Sequence, residues 1–223
     1  TFPDAVLRIV EAGHEIAAHN DVHETPVGLT RNEEIAIFKR AEAALRTLTG
    51  QRPVGYRSPA WDLSPHTLEL LVEFGYLYDS SLMGDDFRPY RPQATRVEDG
   101  NKVRFGEPMD IWEFPVAWEL DDYPYFHFSP RPLNQGLRGA DEVEAMWLAE
   151  FDYCHNHVVD GVFTLTTHPE IIGRGPRIAM LGRLIDAMKR APDVRFSTMA
   201  DVAAALRRRD PAQAIQPEAR GKQ

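Results

Sequence analysis

The sequence predicts an α/β fold in which parallel strands are joined by crossover helices. Three observations lead to this prediction. Segments with helical periodicity alternate with short apolar, β-branched segments along most of the chain. Capping and stop signals flank the helical segments. Polar and aromatic residues follow the ends of the predicted strands, where parallel folds place their chemistry. We therefore expect one α/β domain over residues 1–208, followed by a polar, disordered tail over 209–223.

Start and stop signals assign the elements in chain order. Gly13 ends the first helix, and Thr30 opens the second as N-cap, with Glu33 completing a capping box. Ser64 and Pro65 begin the third helix. The predicted helices are 3–12, 31–49, 65–74, 141–157, 177–190 and 198–208. The predicted strands are 14–18, 53–57, 76–78, 110–116, 161–167 and 194–196.

The composition limits the classes of partner. The 223 residues carry a formal net charge of -9, so the chain lacks the basic character that binding to nucleic acid or an anionic membrane needs. No apolar run is long enough to cross a bilayer. The single cysteine, Cys154, excludes an internal disulfide and favours the cytoplasm. Because the chain begins at Thr1 and not at methionine, the sequence also leaves room for a lost signal peptide.

Two histidines four residues apart follow the first predicted strand, in the segment HEIAAHNDVHE. Neutral imidazoles at the spacing of His19 and His23 can converge on one divalent ion. Asp21 and Glu24 are candidates for a third ligand. The alternative is a pair of surface histidines in a turn. Their position at a strand end and the neighbouring acids favour the metal site.

Three further polar residues lie at predicted strand ends. His168 could donate a proton to a leaving group, or it could be a hydrogen-bonded histidine in a turn. Arg57 is fixed between a strand and a proline, which suits orienting a carboxylate or holding an oxyanion; a structural salt bridge is the alternative. Asp79 could orient a histidine or cap the turn that follows it.

Aromatic residues concentrate after two of the predicted strands. Trp61 either walls a pocket or belongs to the core. The segment WELDDYPYFHF (118–128) suits a ring-shaped or sugar-like ligand, although a subunit contact or a loop packed on itself would also explain it. The long irregular segments 79–109 and 117–140 favour a homo-oligomer. The candidate substrate-binding residues are Trp61, Trp118, Asp122, Tyr123 and Tyr125.

The ordered set of these segments resembles the polysaccharide deacetylase family, also called carbohydrate esterase family 4. The segments that carry the resemblance are GHEIAAHNDVHE, GYRSPAWDLSPHTLELL, GYLYDSSLMGDD, WEFPVAWELDDYPYF and TLTTHPE. They contain an H-x-x-x-H element, an R-x-P element and a late histidine in the family's order, over about residues 3–190. WELDDYPYF looks most like a subgroup of peptidoglycan deacetylase-like proteins and allantoinase- or cyclic-imidase-like amidohydrolases.

The resemblance implies an irregular (β/α) barrel of roughly seven strands. It implies that His19 and His23 bind a divalent metal, usually zinc, which polarises the carbonyl group and activates the attacking water. It also implies that Arg57 orients the catalytic base and that Asp79 supports the late histidine. His168 would then be the general acid that protonates the departing nitrogen. The implied substrate is a small molecule or an oligosaccharide.

The chain departs from the family pattern at three places. The family begins with a strand that carries an Asp-Asp pair, one a metal ligand and the other the general base, and this sequence does not contain that strand. We expect that the first βα unit has been lost upstream of Thr1, since a barrel without its first strand would expose edges on both sides; otherwise the chain is incomplete and inactive. Asn20 replaces the usual Ser or Thr. Thr166 replaces a leucine that lines an acetyl pocket, which favours a small polar amide or ureide.

These observations lead to three functional hypotheses. The favoured one is a metal-dependent amide (C–N) hydrolase that removes N-acetyl groups from amino sugars. The second is a cytoplasmic hydrolase of small cyclic amides or ureides that need not use a metal. The third is a non-catalytic binding protein on a degenerate barrel, which the absent Asp-Asp pair favours. Chelation separates the first hypothesis from the second, because only the first predicts that activity depends on the metal.

Overall fold

The structure is a computed structural model that describes residues 2–98 and 102–209. The predicted disordered tail lies outside the described residues from residue 210 onward. The α-helices of the described residues are α1 (Pro3–Glu11), α2 (Arg31–Thr49), α3 (Thr67–Glu73), α4 (Asp122–Phe126), α5 (Ala140–His157), α6 (Pro169–Ile172), α7 (Gly175–Arg190) and α8 (Met199–Arg209). The strands are β1 (Gly55–Tyr56), β2 (Tyr78–Asp79), β3 (Gln93–Glu98), β4 (Lys102–Pro108), β5 (Trp112–Glu113), β6 (Phe128–Pro130) and β7 (Leu133–Gln135).

The described residues form two compact units. The first unit comprises residues 2–79, 110–112 and 197–209. The second unit comprises residues 80–98, 102–109 and 113–196. The prediction of a single domain over 1–208 stays a prediction.

The long helix α2 of the first unit begins and ends as its sequence predicts. The Thr30 side chain accepts a hydrogen bond from the Glu33 backbone N–H, and the Glu33 carboxylate accepts one from the Thr30 N–H. These two bonds form the predicted capping box. Gly50 ends the helix with a φ of 74°, a left-handed conformation that glycine adopts without steric cost. The helix buries Ile37 and Phe38 in the core of this unit.

Parallel strand pairing, which the alternation of elements predicts, is present in the first unit. Strands β1 and β2 pair in parallel, with Tyr56 opposite Asp79, and the order of the three-stranded sheet is β1-β2-β5. The predicted strand 14–18 is shorter than expected. It pairs with β1 through one isolated parallel bridge, between Ala18 and Tyr56. That bridge fixes the point at which the chain leaves the sheet.

A hydrophobic core forms the centre of the second unit. Trp147 on α5 is fully buried in it, and its indole N–H donates to the carbonyl of Glu119 at 3.0 Å. The segments expected to be irregular contain regular elements, because β3 pairs with β4 and β6 pairs with β7 as antiparallel hairpins. The segment 161–167 makes a single parallel bridge, between Thr166 and Asp121. The core residues are Phe87, Leu120, Phe126, Val143, Trp147, Phe151, Cys154, Ile171, Ile172, Met180, Leu184 and Met188.

The α/β character predicted from the sequence is confirmed, while the irregular barrel stays a prediction. The sheets of the described residues have three, two and two strands, and none of them closes on itself. The segment 194–196, which we expected to be a strand, has no strand pairing in the structure. Among the helices that the structure describes, none combines the length and the apolar character that a bilayer crossing requires.

Candidate functional site

The first candidate group is a turn in the first unit, residues 19–24, which we call the histidine turn. The backbone of Ala18 is hydrogen-bonded to both sides of β1: its N–H donates to the Gly55 carbonyl at 2.9 Å, and its carbonyl accepts from the Arg57 N–H at 3.0 Å. The chain then turns sharply, since Asn20 and His23 have φ angles of 58° and 63°. Left-handed conformations are uncommon for residues other than glycine, and asparagine tolerates them best. The turn therefore has a defined, constrained backbone.

The two histidine rings of this turn lie close together and are exposed. The ring centroids of His19 and His23 are 4.9 Å apart, with an angle of 74° between the ring planes. The Nδ1 atom of His19 is 2.6 Å from the Arg57 carbonyl oxygen. Because a carbonyl oxygen only accepts, Nδ1 carries the proton and Nε2 holds the free electron pair. Metal-binding histidines typically use this arrangement, so the pair fits a divalent cation.

The acids expected to supply a third ligand are engaged elsewhere. The Asp21 carboxylate accepts from the Arg40 guanidinium on α2 at 2.7 Å. One oxygen of Glu24 lies 3.5 Å from Arg40, and the other accepts from the Val22 N–H at 2.8 Å. These contacts attach the histidine turn to α2. They do not support the expectation that Asp21 or Glu24 is a metal ligand.

The second candidate group lies in the second unit and comprises Asp121, Asp122 and His168. Backbone pairing brings the two segments together, since the Thr166 N–H donates to the Leu120 carbonyl at 2.8 Å and the Asp122 N–H donates to the Thr166 carbonyl at 3.2 Å. His168 then precedes the short helix α6, and its carbonyl accepts the first N–H groups of that helix. The position of His168 is therefore fixed on both sides.

Asp122 directs both of its carboxylate oxygens at His168. Asp122 is fully buried; its Oδ1 accepts from the His168 Nδ1 at 2.7 Å, and its Oδ2 accepts from the His168 backbone N–H at 3.0 Å. Because the carboxylate holds the Nδ1 proton, Nε2 is the ring atom left to exchange a proton with a substrate. This is the geometry of a histidine that a carboxylate orients for acid–base chemistry.

These three residues are also the one group of three or more possible ligands that the described residues bring within 4.8 Å of one another. Two ligands of one tetrahedral zinc ion would be about 3.3 Å apart. The 2.7 Å distance between Asp122 and His168 is shorter and fits a hydrogen bond. The Asp121 Oδ1 lies 3.7 Å from Nδ1 and accepts from the Tyr123 N–H at 2.7 Å. The group therefore fits a hydrogen-bonded acid–base pair better than a metal site.

The contact between Asp122 and His168 differs from the sequence-based assignment. We expected Asp122 to bind substrate and Asp79 to support the late histidine. The structure places Asp122 in contact with His168, and its buried carboxylate has both oxygens occupied. Asp79 is buried at the end of β2 in the first unit, and Arg57 directly follows β1 there. The roles of Asp79 and Arg57 stay predictions.

The aromatic candidates separate into exposed and buried residues. Trp118 is 44% exposed and Tyr123 is 39% exposed, so both can contact a ligand. The Tyr123 ring lies 5.6 Å from the His168 ring and stacks on His127 at 4.2 Å. Tyr125 is half-buried, and its hydroxyl donates to a backbone carbonyl. Trp61 is only 9% exposed, which agrees with the alternative that it belongs to the core.

Sequence reasoning missed two residues that contact this chemistry. His127 stacks on Tyr123, and a spacing of four residues inside an aromatic segment could have indicated this contact. Tyr56 lies directly before Arg57, and its hydroxyl donates to the Asn20 side chain in the histidine turn. No local signal in the sequence indicates that second contact, because 36 residues separate the two partners.

Comparisons with known proteins agree with this geometry. The family model of polysaccharide deacetylases matches residues 1–78. A peptidoglycan deacetylase from Helicobacter pylori is 32% identical over 226 residues, an alignment that covers 95% of this chain and 76% of that protein. A crystal structure from Mycobacterium smegmatis, assigned to the polysaccharide deacetylases, is 35% identical with a TM-score of 0.79, covering 99% of this chain and 71% of that one.

A third relative has a different named activity. The crystal structure of the PuuE allantoinase is 26% identical with a TM-score of 0.73, and the match covers 94% of this chain and 64% of that one. The peptidoglycan deacetylase remains the more similar of these two in sequence, and its match extends over most of both proteins. This chain therefore belongs to the polysaccharide deacetylase family, whose members hydrolyse carbon–nitrogen bonds.

Proposed function

We propose that this chain removes N-acetyl groups from amino sugars, with a divalent metal, most simply zinc, held by His19 and His23. The observation that carries the proposal is the hydrogen-bonded pair of Asp122 and His168, because it prepares a histidine for proton transfer. The family assigns the chemistry as hydrolysis of a carbon–nitrogen bond. The sugar substrate is suggested by the named activity of the Helicobacter pylori relative.

His168 acts as the general acid in this proposal. The buried Asp122 carboxylate keeps the Nδ1 proton in place and stabilises the positively charged imidazolium, which can then donate its Nε2 proton to the departing amine. Amines are poor leaving groups unless they are protonated, so this proton transfer is needed for the C–N bond to break. Protonation by a positioned side chain typically contributes about 10²–10⁴-fold to the rate.

His19 and His23 supply the metal ligands in this proposal. The hydrogen bond to the Arg57 carbonyl leaves the Nε2 atom of His19 available to a cation. A bound divalent cation would polarise the amide carbonyl and lower the pKa of a water molecule. Arg57 and Asp79 keep the roles that the family resemblance implies, orientation of the base and support of the acid.

The exposed aromatic residues of the second unit support a sugar-sized substrate. Trp118 and Tyr123 present flat apolar faces, and Tyr123 lies next to the proposed acid. Rings of this kind pack against the apolar face of a pyranose and fix its orientation. We further propose a homo-oligomer, which the mass of the purified protein in solution tests directly.

A second candidate function is the hydrolysis of a small cyclic ureide or imide. The observation that favours it is Thr166, a buried polar residue two positions before His168. A polar side chain at that position suits a polar amide better than an acetyl methyl group. The allantoinase relative, which is 26% identical, points in the same direction.

Chelation and substrate comparison test both functions in one experiment. The purified chain is treated with a chelator, and hydrolysis of N-acetylated chitooligosaccharides and of allantoin is measured before and after Zn²⁺ is restored. The proposal predicts acetate release that disappears on chelation, returns with Zn²⁺ and falls at least about 100-fold in the His168→Ala variant. His155→Ala is the matched control, since His155 binds a backbone carbonyl at 2.9 Å in the same unit. Hydrolysis of allantoin alone, unaffected by chelation, would favour the second candidate.

A further inference from the structure

Tyr56 is a buried tyrosine whose hydroxyl reaches the histidine turn. It lies on β1 and is only 1% exposed, and its ring packs against Phe38 at 5.3 Å and Tyr76 at 6.2 Å between centroids. The hydroxyl donates to the side-chain oxygen of Asn20 at 2.7 Å. The Ser58 side chain is a second hydrogen-bond partner of this hydroxyl. The ring therefore belongs to the core, while the hydroxyl carries a specific polar contact.

Asn20 transmits this contact across the turn. Its side-chain amide donates to the Glu24 carbonyl at 2.7 Å, while its side-chain oxygen accepts from Tyr56. Asn20 is only 8% exposed and holds a left-handed backbone conformation with a φ of 58°. The two hydrogen bonds of one side chain thus connect the sheet to the far end of the turn, on the other side of His23.

Strand β1 consequently holds the histidine turn at two points. The carbonyl of Arg57 binds the Nδ1 of His19, and the hydroxyl of the preceding Tyr56 holds Asn20. A third attachment, the ion pair of Asp21 with Arg40, lies at the surface, where the Arg40 side chain is 54% exposed. Exposed ion pairs contribute little, whereas a buried hydrogen bond that loses its partner costs more. The buried Tyr56 contact is the stronger constraint.

From this arrangement we infer that Tyr56 is a positioning residue for the metal site: its hydroxyl, acting through Asn20, holds His19 and His23 at the separation a divalent cation needs. Tyr56 acts through another residue, since it is buried and its hydroxyl binds Asn20. The inference rests on the metal-binding role of the two histidines under the proposed function. Groups that orient metal ligands typically contribute 10–100-fold to metal affinity.

The test is the affinity of the full metal-free chain for Zn²⁺, measured by competition with a chromophoric chelator. Tyr56→Phe keeps the ring and removes only the hydroxyl, and we expect its Zn²⁺ affinity to fall about 10–100-fold. The matched control is Tyr78→Phe, because Tyr78 is also buried in the first unit and its hydroxyl donates to Glu15 at 2.9 Å. We expect this control to lose similar stability and to keep Zn²⁺ affinity within about twofold.

A second variant keeps the inference testable if Tyr56→Phe does not fold. Asn20→Gly tolerates the left-handed backbone and removes both side-chain hydrogen bonds, so its Zn²⁺ affinity should fall by a similar factor. In the double variant the two losses should not add, because both remove the same contact. Equal Zn²⁺ affinity in wild type, Tyr56→Phe and Asn20→Gly would overturn this inference alone. No Zn²⁺ binding to the wild type, or binding unaffected by His19→Ala, would overturn the proposed metal role and this inference with it.

Discussion

Replacing Asp122 by asparagine separates the orientation of His168 from its presence. The carboxylate of Asp122 accepts two hydrogen bonds, from the backbone N–H and from the Nδ1 of His168. An asparagine side chain has the same shape but only one accepting oxygen. The backbone N–H can only donate, so the amide oxygen must face it. The amide NH₂ group then faces Nδ1, which has to become the acceptor.

This exchange changes the tautomer of His168. In the wild type, the carboxylate holds a proton on Nδ1 and stabilises the imidazolium that donates from Nε2. In Asp122→Asn, the neutral ring carries its proton on Nε2, and no buried negative charge stabilises the imidazolium. A neutral imidazole is too weak an acid to protonate an amine leaving group. We therefore expect kcat to fall about 10²–10⁴-fold, the usual contribution of general acid catalysis.

The assay combines acetate release from chitooligosaccharides with the ¹⁵N chemical shifts of the His168 ring. The control is Asp85→Asn, since the Asp85 Oδ1 accepts from the N–H groups of Phe87 and Arg88 and an amide oxygen can replace it. We expect the control to keep its kcat. A kcat for Asp122→Asn within tenfold of the wild type, or ring shifts that show an unchanged tautomer, would refute this reasoning.

Three further predictions concern stability and reactivity. Thr30→Ala removes half of the capping box of α2 and should lower the free energy of unfolding by about 1 kcal/mol in urea titrations. Burial raises the pKa of Tyr56, Tyr76 and Tyr78, so the unfolded chain loses these protons first, from about pH 10. The stability they contribute is complete below that pH and should decline above it, whereas equal unfolding midpoints at pH 8 and pH 11 would contradict this linkage. Burial also raises the pKa of the Cys154 thiol to about 11, so iodoacetamide at pH 8 should label the native protein on the order of 100-fold more slowly than the unfolded chain.

Local signals in the sequence identified most of the helices and the residue types of the site. The capping box of Thr30 and Glu33 and the stop at Gly50 depend on groups within a few residues of each other, so the sequence alone specifies them. The strands were harder to assign. Residues 161–167 have an apolar, β-branched composition, yet strand structure also needs a paired partner, and Thr166 makes a single bridge.

The sequence by itself determined the helices, the family and the histidines. Tertiary structure decided which side chains meet. Asp122 was expected to face a substrate, but pairing of its backbone with Thr166 places its carboxylate on His168, 46 residues later. The hydroxyl of Tyr56 likewise finds Asn20 only because Ala18 pairs with β1. Local hydrogen bonds and periodicity are set by neighbours along the chain, whereas contacts between distant residues depend on strand pairing and register, which the folded chain alone fixes.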